Sequence, residues 1–307
     1  MWCSVSARGW TLFAAMSLIW GIPYLFIKVA VDEVSVPVLV FARSAVGAAL
    51  LLPLAVSREA RGLIRGHWKP VVAFAFFEII AAWLLLSDAS RHLPSSLTGL
   101  LIAAAPIIAA VLDRFTGGER RLGAVRVIGL GVGLAGVAVL AGPGLSGGGA
   151  WPVTEVLLVA ACYAIAPLIA ARYLAEVPGP ALTAACLGLG AMVYALPAAL
   201  TWPSQMPSGR VLLAIAGLAV ICTALAFVLF FALIREVGPA RALIFTYVNP
   251  VVALAAGVII LHEPITWWNI AGLVLILTGS VLATRKAAPV APPLTAEDVA
   301  SENVGDH

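Results

Sequence analysis

Ten apolar runs of 17 to 24 residues follow one another along the chain, at 10–31, 36–56, 71–87, 95–112, 124–141, 151–171, 181–201, 211–234, 240–261 and 268–284. A helix of about 20 such residues crosses the roughly 30 Å hydrocarbon core of a bilayer. Backbone groups there have no water to bond, so each segment must satisfy its own N–H and C=O groups, which a helix does locally. Strands of a membrane barrel would alternate apolar and polar positions, and Val125 to Ala141 does not. The pattern predicts an all-α integral membrane protein with ten transmembrane helices and short connectors. The first run follows Arg8 as the core of a secretory leader would, but it lacks a small-residue cleavage exit and reads as the first span.

Composition agrees with the pattern. The 307 residues are 62% hydrophobic and 11% charged, with a mean hydropathy of +1.06, whereas a soluble domain carries about 25% charged residues. A water-soluble globule is excluded. The net charge of +3 does not point to nucleic acid, because the basic residues lie in connectors between apolar runs. With the N-terminus inside, 14 of the 18 Lys and Arg residues fall on the cytoplasmic side, including the groups Arg58, Arg61, Arg65, Lys69 and Arg114, Arg120, Arg121, Arg126. Lys28, Arg91 and Arg210 fall outside and Arg43 lies within a span, so the positive-inside rule predicts that both termini are cytoplasmic. The tail at 287–307 has Pro289, Pro292 and Pro293, late acidic residues and no apolar periodicity, and is expected to be disordered.

The chain also aligns with itself at an offset of 144 residues. Pro23 meets Pro167, Lys28 meets Arg172, Asp32 meets Glu176, Pro53 meets Pro197, Arg91 meets Arg235, Pro106 meets Pro250 and Glu119 meets Glu263. Chance placement of the prolines would give about 0.6 coincidences, and three occur, which marks a duplicated unit. Five helices per unit is an odd number, so the second copy enters the membrane inverted, the plan of many secondary transporters. The expected organisation is a first repeat at 10–141, a Gly-rich linker at 142–150 and a second repeat at 151–284.

Several motifs of soluble enzymes lose their meaning in this setting. Gly131-Val132-Gly133-Leu134-Ala135-Gly136 matches a dinucleotide fingerprint but lies inside a span with no preceding strand, where small residues serve close helix packing. Gly144-Leu145-Ser146-Gly147-Gly148 matches a nucleophile elbow without the strand-to-helix turn or an Asp/His relay. Cys162, Cys186 and Cys222 lie in apolar runs without CxxC spacing, and the four histidines form no ligand cluster. No connector carries GxxxxGK[ST]. No catalytic residues, metal or cofactor are expected, and energy must come from a gradient or from the substrate.

A family resemblance rests on Trp20-Gly21 with Lys28 closing the first helix, and on a pattern that occurs twice. Arg91, Pro106 and Glu119 precede Gly129 and Gly136, as Arg235, Pro250 and Glu263 precede Gly272 and Gly279. Over about residues 10 to 285 the chain resembles the drug/metabolite transporter superfamily, specifically ten-helix EamA-type exporters with two EamA repeats. The resemblance implies secondary active export of small metabolites, amino acids or drug-like compounds by alternating access across a bacterial inner membrane. It leaves open proton coupling, substrate and oligomeric state. Other classes compatible with the residues are a membrane receptor or scaffold that binds without transport, and an intramembrane enzyme.

Ionisable groups inside hydrocarbon are costly and usually face the bundle interior, where they pair or serve a pathway. Glu78 is placed well inside the third span, and Arg43 inside the second. Two readings stand: an Arg43–Glu78 ion pair that orders the bundle, or a substrate or proton role for Glu78. Other candidates for substrate contact near mid-depth are Trp20, Tyr163, Thr223, Tyr247 and Asn249. Asn249 gains weight from Pro250, which leaves a carbonyl one turn earlier unbonded beside an amide side chain. Pro106 and Pro250 are candidate hinges. Glu119 and Glu263 are candidates for loop anchoring or gating, as are Arg91 and Arg235 and the pairs Lys28/Asp32 and Arg172/Glu176, each four residues apart on one helical face.

Overall fold

The computed structural model describes residues 6–55, 57–115, 124–146 and 150–283, and every element among them is helical. In the first half these are α1 (Ala7–Ile19), α2 (Pro23–Ala30), α3 (Val36–Ala55), α4 (Arg58–Gly66), α5 (Trp68–Ala75), a π-helical segment (Phe76–Ile80), α6 (Ala81–His92), α7 (Ser95–Ile102), α8 (Ala105–Phe115) and α9 (Ala124–Ser146). The second half has α10 (Ala150–Tyr173), α11 (Gly179–Leu200), α12 (Gly209–Ala216), a second π segment (Gly217–Leu225), α13 (Ala226–Val237), α14 (Pro239–Ala242), a 3₁₀ segment (Leu243–Tyr247), α15 (Asn249–Leu261) and α16 (Trp267–Ala283). Joined end to end, these give eight stretches among the described residues that are long and apolar enough to cross a membrane, with α15 and α16 as shorter apolar helices. Glu119, residues 147–149 of the expected linker and the tail at 287–307 lie outside the described residues.

Three features add to or depart from the sequence expectation. The connector at 57–70 contains α4, whose N-cap Ser57 accepts from the Ala60 N–H at 3.0 Å. Glu59 in its first turn and Arg65 in its last match the helix dipole, while Leu63 and Ile64 seat it on the core. Second, α9 continues through Pro143 to Ser146, so the first part of the expected linker is helical. The apolar pattern ends at Ala141, but loss of hydrophobicity alone does not stop a helix. Third, several spans are interrupted. One break at Trp20–Ile22 precedes Pro23, another at Ala103–Ala104 precedes Pro106, and a 3₁₀ segment precedes Pro250. Each of these prolines sits in the first turn of a new helix, where its missing N–H deprives no carbonyl.

Two helix pairs have the most extensive packing, α3 with α11 and α9 with α16. Each joins a helix to the one about 144 residues later. Glycine permits the close approach of α9 and α16. A Cβ on Gly136 would lie 2.8 Å from the Ile276 backbone nitrogen, one on Gly129 would lie 2.5 Å from the Ala283 nitrogen, and Gly279 rests on the Gly133 backbone. Gly133 and Gly136 of the fingerprint-like motif thus face a neighbouring helix, while a Cβ on Gly131 would meet nothing within 4 Å.

Candidate functional site

The site is built on the two π segments. A π turn widens the helix by one residue and breaks the regular i→i+4 ladder, which leaves backbone carbonyls open to side chains. In the first half, the Ile80 carbonyl accepts from the Tyr194 hydroxyl of α11 at 2.7 Å. In the second half, the Thr223 hydroxyl donates to the Leu218 carbonyl at 2.8 Å, five residues back. The Cys222 carbonyl accepts from the Trp20 indole at 3.3 Å. The first segment, displaced by 144 residues, falls within the second.

Arg43 of α3 reaches this region. It is 8% exposed, its Nε donates to the Thr223 Oγ1 at 2.9 Å, and its guanidinium stands 3.6 Å from the centre of the Trp83 ring. Thr223 is fully buried and acts as acceptor and donor at once. A guanidinium over an indole face is favourable, by about 2 kcal/mol when desolvated. Tyr163, Cys222, Tyr24 and Glu78 lie within electrostatic range of Arg43, and Tyr163 is within hydrogen-bonding reach of the Trp83 indole.

Glu78 sits in the first π segment, ten residues along from Trp68, which is about 15 Å into the span. Its side chain is partly exposed although its neighbours Cys162 and Cys186 are buried. No contact ion pair joins it to Arg43 among the described residues. Of the two alternatives left open by the sequence, the ion pair is therefore not a direct contact: Thr223 and Trp83 are the close partners of the guanidinium. Among the described residues only the Nε–H of the guanidinium donates to a protein acceptor, which leaves its four terminal N–H groups over.

Of the other candidates, Trp20 packs against Phe227, Phe230 and Phe245, with ring centroids 5.6, 5.0 and 5.4 Å away. Asn249, oriented with its amide nitrogen toward carbonyls, donates to Phe245 O at 3.1 Å and Ser17 O at 3.2 Å, tying the start of α15 to α1. Tyr247 ends the 3₁₀ segment beside it, partly buried. The structure thus gathers Arg43, Glu78, Tyr163 and Thr223, with Trp20 adjoining through Cys222, and places Tyr247 and Asn249 on the far flank of the Trp20 cluster. Trp83, Tyr24 and Tyr194 were not foreseen, since an aromatic in an apolar run has no mark that separates a site residue from core.

The remaining polar candidates fasten helix ends. Lys28 donates to the Ser90 and Arg91 carbonyls at 2.8 and 3.3 Å, at the end of α6, and makes no ion pair with Asp32. Arg91 pairs with Asp88 at 3.8 Å. Arg172 lies 5.6 Å from the Tyr173 ring, and Arg235 is exposed in the last turn of α13. Glu263 accepts the backbone N–H groups of Ser95 and Ser96 at 2.6 and 2.9 Å, capping α7. Burial works to raise its carboxyl pKa, but the hydrogen bonds from Ser96 and Ser95 prevail and hold it below the usual carboxylate range. Glu33, also unforeseen, accepts the Ser208 N–H at 2.6 Å, and that bond with the Ser208 side chain holds its carboxyl low. Ser35 meets Thr201 at 2.7 Å. The Glu263, Glu33 and Ser35 contacts join residues before position 142 to residues after 150.

Comparison with known proteins follows the two halves. The model of the EamA-like transporter family matches twice, at residues 7–142 and 151–285. An uncharacterized inner membrane transporter, YedA of Escherichia coli (strain K12), is 28% identical over 304 residues, covering 94% of this chain and 95% of its own. An uncharacterized transporter, YvbV of Bacillus subtilis (strain 168), is 26% identical over 288 residues, covering 90% and 91%. A protein of known crystal structure has the same fold, with a TM-score of 0.65 at 22% identity, covering 90% of this chain and 96% of the other.

Proposed function

We propose that this chain, which belongs to the EamA-like transporter family, is a secondary active exporter of small organic molecules that works by alternating access between two inverted five-helix halves. The observation that carries the reading is the central group shared by both halves. Arg43 from the first is held by Thr223 from the second, beside Glu78 and Tyr163. Midplane sites at a repeat interface, built from irregular helices, are the places where such transporters bind cargo. Arg43 offers spare N–H donors, Glu78 a carboxyl without a contact cation, and Trp83, Tyr24 and Tyr163 an aromatic wall. That combination suits a small amphipathic or zwitterionic metabolite.

On this reading α14, the 3₁₀ segment and α15 together form the ninth span, and α16 with the residues after it forms the tenth. Both termini are cytoplasmic. The ties Glu33–Ser208, Ser35–Thr201 and Glu263 to Ser95 and Ser96 then all lie at the outer end and latch it shut. Counterflow in proteoliposomes tests the assignment. Purified protein should exchange internal unlabelled metabolite for external labelled metabolite across a sealed bilayer, with no added nucleotide. Protein that binds a ligand but never exchanges it would defeat the reading in favour of a receptor.

A further inference from the structure

A second polar group lies apart from the central one. Glu155 projects from the beginning of α10, is 3% exposed, and its Oε2 is fully buried with no hydrogen-bond partner. The carboxyl of Asp88, from the last turns of α6, stands within hydrogen-bonding reach of it, as does the Trp151 side chain. Asp88 has a second, wetter side. Its side chain is 39% exposed and meets Arg91 at 3.8 Å.

The charges around the pair are few. On α6 they are Asp88 itself, its partner Arg91, and His92, exposed at the helix end. Lys28 of α2 is turned onto the Ser90 and Arg91 carbonyls. Helix α7, which also packs on α10, contains no ionisable side chain. Lys69 of α5 and Glu78 of the π segment lie 19 and 10 residues back along the Asp88 helix. The described ionisable residue of α9, Arg126, is at the opposite end of that helix from the α10 start. No cation therefore meets the Glu155 carboxyl among the described residues.

Two ionised carboxylates only accept hydrogen bonds, so a bond between them requires a proton on one. A buried carboxylate with no cation and a single indole N–H within reach is disfavoured as the charged form, and two like charges in contact more so. We propose that Asp88 and Glu155 share one proton and form a proton-binding site where α6 meets α10, with exposed Asp88 as its port. The shared proton does not depend on the transporter reading. That it arrives from the outer side rests on the topology proposed above. Loss of the proton would set two negative charges against each other at the α6–α10 contact. Because α6 continues from the π segment that carries Glu78, ten residues or about 15 Å away, occupancy of this site would bear on the central group through one helix.

Infrared difference spectroscopy on the full-length protein in lipid nanodiscs tests the proposal directly. The wild type should show a protonated-carboxyl C=O band that disappears as pH is raised and shifts in D₂O. Glu155→Gln and Asp88→Asn should each lose it, and Glu78→Gln should retain it. Melting temperature supplies a second readout. It should fall for the wild type as pH rises and lose that dependence in Glu155→Gln, whose amide can still donate to Asp88. Asp88→Asn, at a partly exposed position, serves if the Glu155 variant does not fold. A band absent from the wild type, or unchanged in both pair variants, would overturn the proposal. So would stabilisation of the wild type by sodium at high pH that both variants lose, which would assign the pair to a metal cation. Neither readout involves transport, so failure here leaves the exporter reading standing, and absent counterflow beside an intact band would defeat only the latter.

Discussion

Replacing Glu263 with Gln isolates the electrostatic part of a helix cap. The carboxylate accepts two N–H groups at the start of α7, at 2.6 and 2.9 Å, and the capped residues Ser95 and Ser96 are each 1% exposed. A partly buried anion at a helix N-terminus contributes up to about 2 kcal/mol. Hydrogen bonds to a charged group are worth about 1.5–3 kcal/mol against about 1 for a neutral pair. These figures describe overlapping physics, and Gln keeps one carbonyl acceptor, so the expected loss is about 1–2 kcal/mol. At roughly 2–4 °C per kcal/mol for domains of 150–250 residues, the melting temperature in detergent should drop by roughly 2–8 °C. The pH dependence has a definite sign. The folded carboxyl is held below its ordinary value despite burial, so its contribution is fully present above about pH 4.3. It is lost as pH falls through the lower folded value. The gap between wild type and Glu263→Gln should therefore be constant at neutral pH and close on acidification. Equal melting at pH 7, or a gap that widens as pH falls, would refute the argument.

Thr223→Val removes the acceptor of the Arg43 Nε without changing shape. It should lower stability by about 1.5–3 kcal/mol and reduce transport, with Thr223→Ser restoring both in melting and counterflow assays. Gly279→Ala places a methyl group against the Gly133 backbone and should destabilise the α9–α16 contact by about 1–3 kcal/mol, whereas Gly131→Ala, in open space, should be neutral within error of a thermal melt. Glu78→Gln should leave the protein inserted and folded, since no contact cation is stranded, and should abolish net transport if Glu78 binds cargo or a coupling ion; full transport by this variant would remove Glu78 from the site. A Cys introduced near Ser146 should react with an impermeant reagent from outside and one near Arg61 should not, and the reverse labelling would invert the proposed topology.

The sequence made the helices legible because hydrocarbon leaves the backbone one local solution, and the duplication legible because prolines and charges are rare enough for coincidences to count. It also picked out Arg43, Glu78 and Thr223, since a polar residue within an apolar run is conspicuous. It left open whether Arg43 and Glu78 pair, because depth along two helices says nothing of which faces meet. The π segments carry no visible mark. Phe76-Phe77-Glu78-Ile79-Ile80 contains no breaker, and only the Tyr194 and Thr223 bonds to displaced carbonyls explain the altered register. Glu155 escaped notice for a different reason. It lies five residues from the start of α10, where a carboxylate ordinarily reaches water, and only packing shows that it is buried.

The alternating access proposed above would require elements with two discrete arrangements, and the three bonds at the π segments are candidates for such elements. Tyr194 of the second half bonds to Ile80 of the first, while Trp20 and Arg43 of the first bond to Cys222 and Thr223 of the second. Each half therefore holds the irregular segment of the other. A return of either segment to α-helical register would close the carbonyl that Tyr194 or Trp20 bonds, and would move the Thr223 hydroxyl that accepts from Arg43, so on the proposed reading a change in one half is felt in the other. Hydrogen bonds are worth about 0.5–1.5 kcal/mol each, or more at Arg43, so exchanging the three involves a few kcal/mol. A ligand needs a differential affinity of about 5.5 kcal/mol to move an equilibrium from 1:99 to 99:1. On the proposed exporter reading, the cost of switching these bonds is of the size that a small substrate bound at Arg43 and Glu78 would supply, and the reciprocal bonds would then link occupancy of the centre to the relative position of the halves.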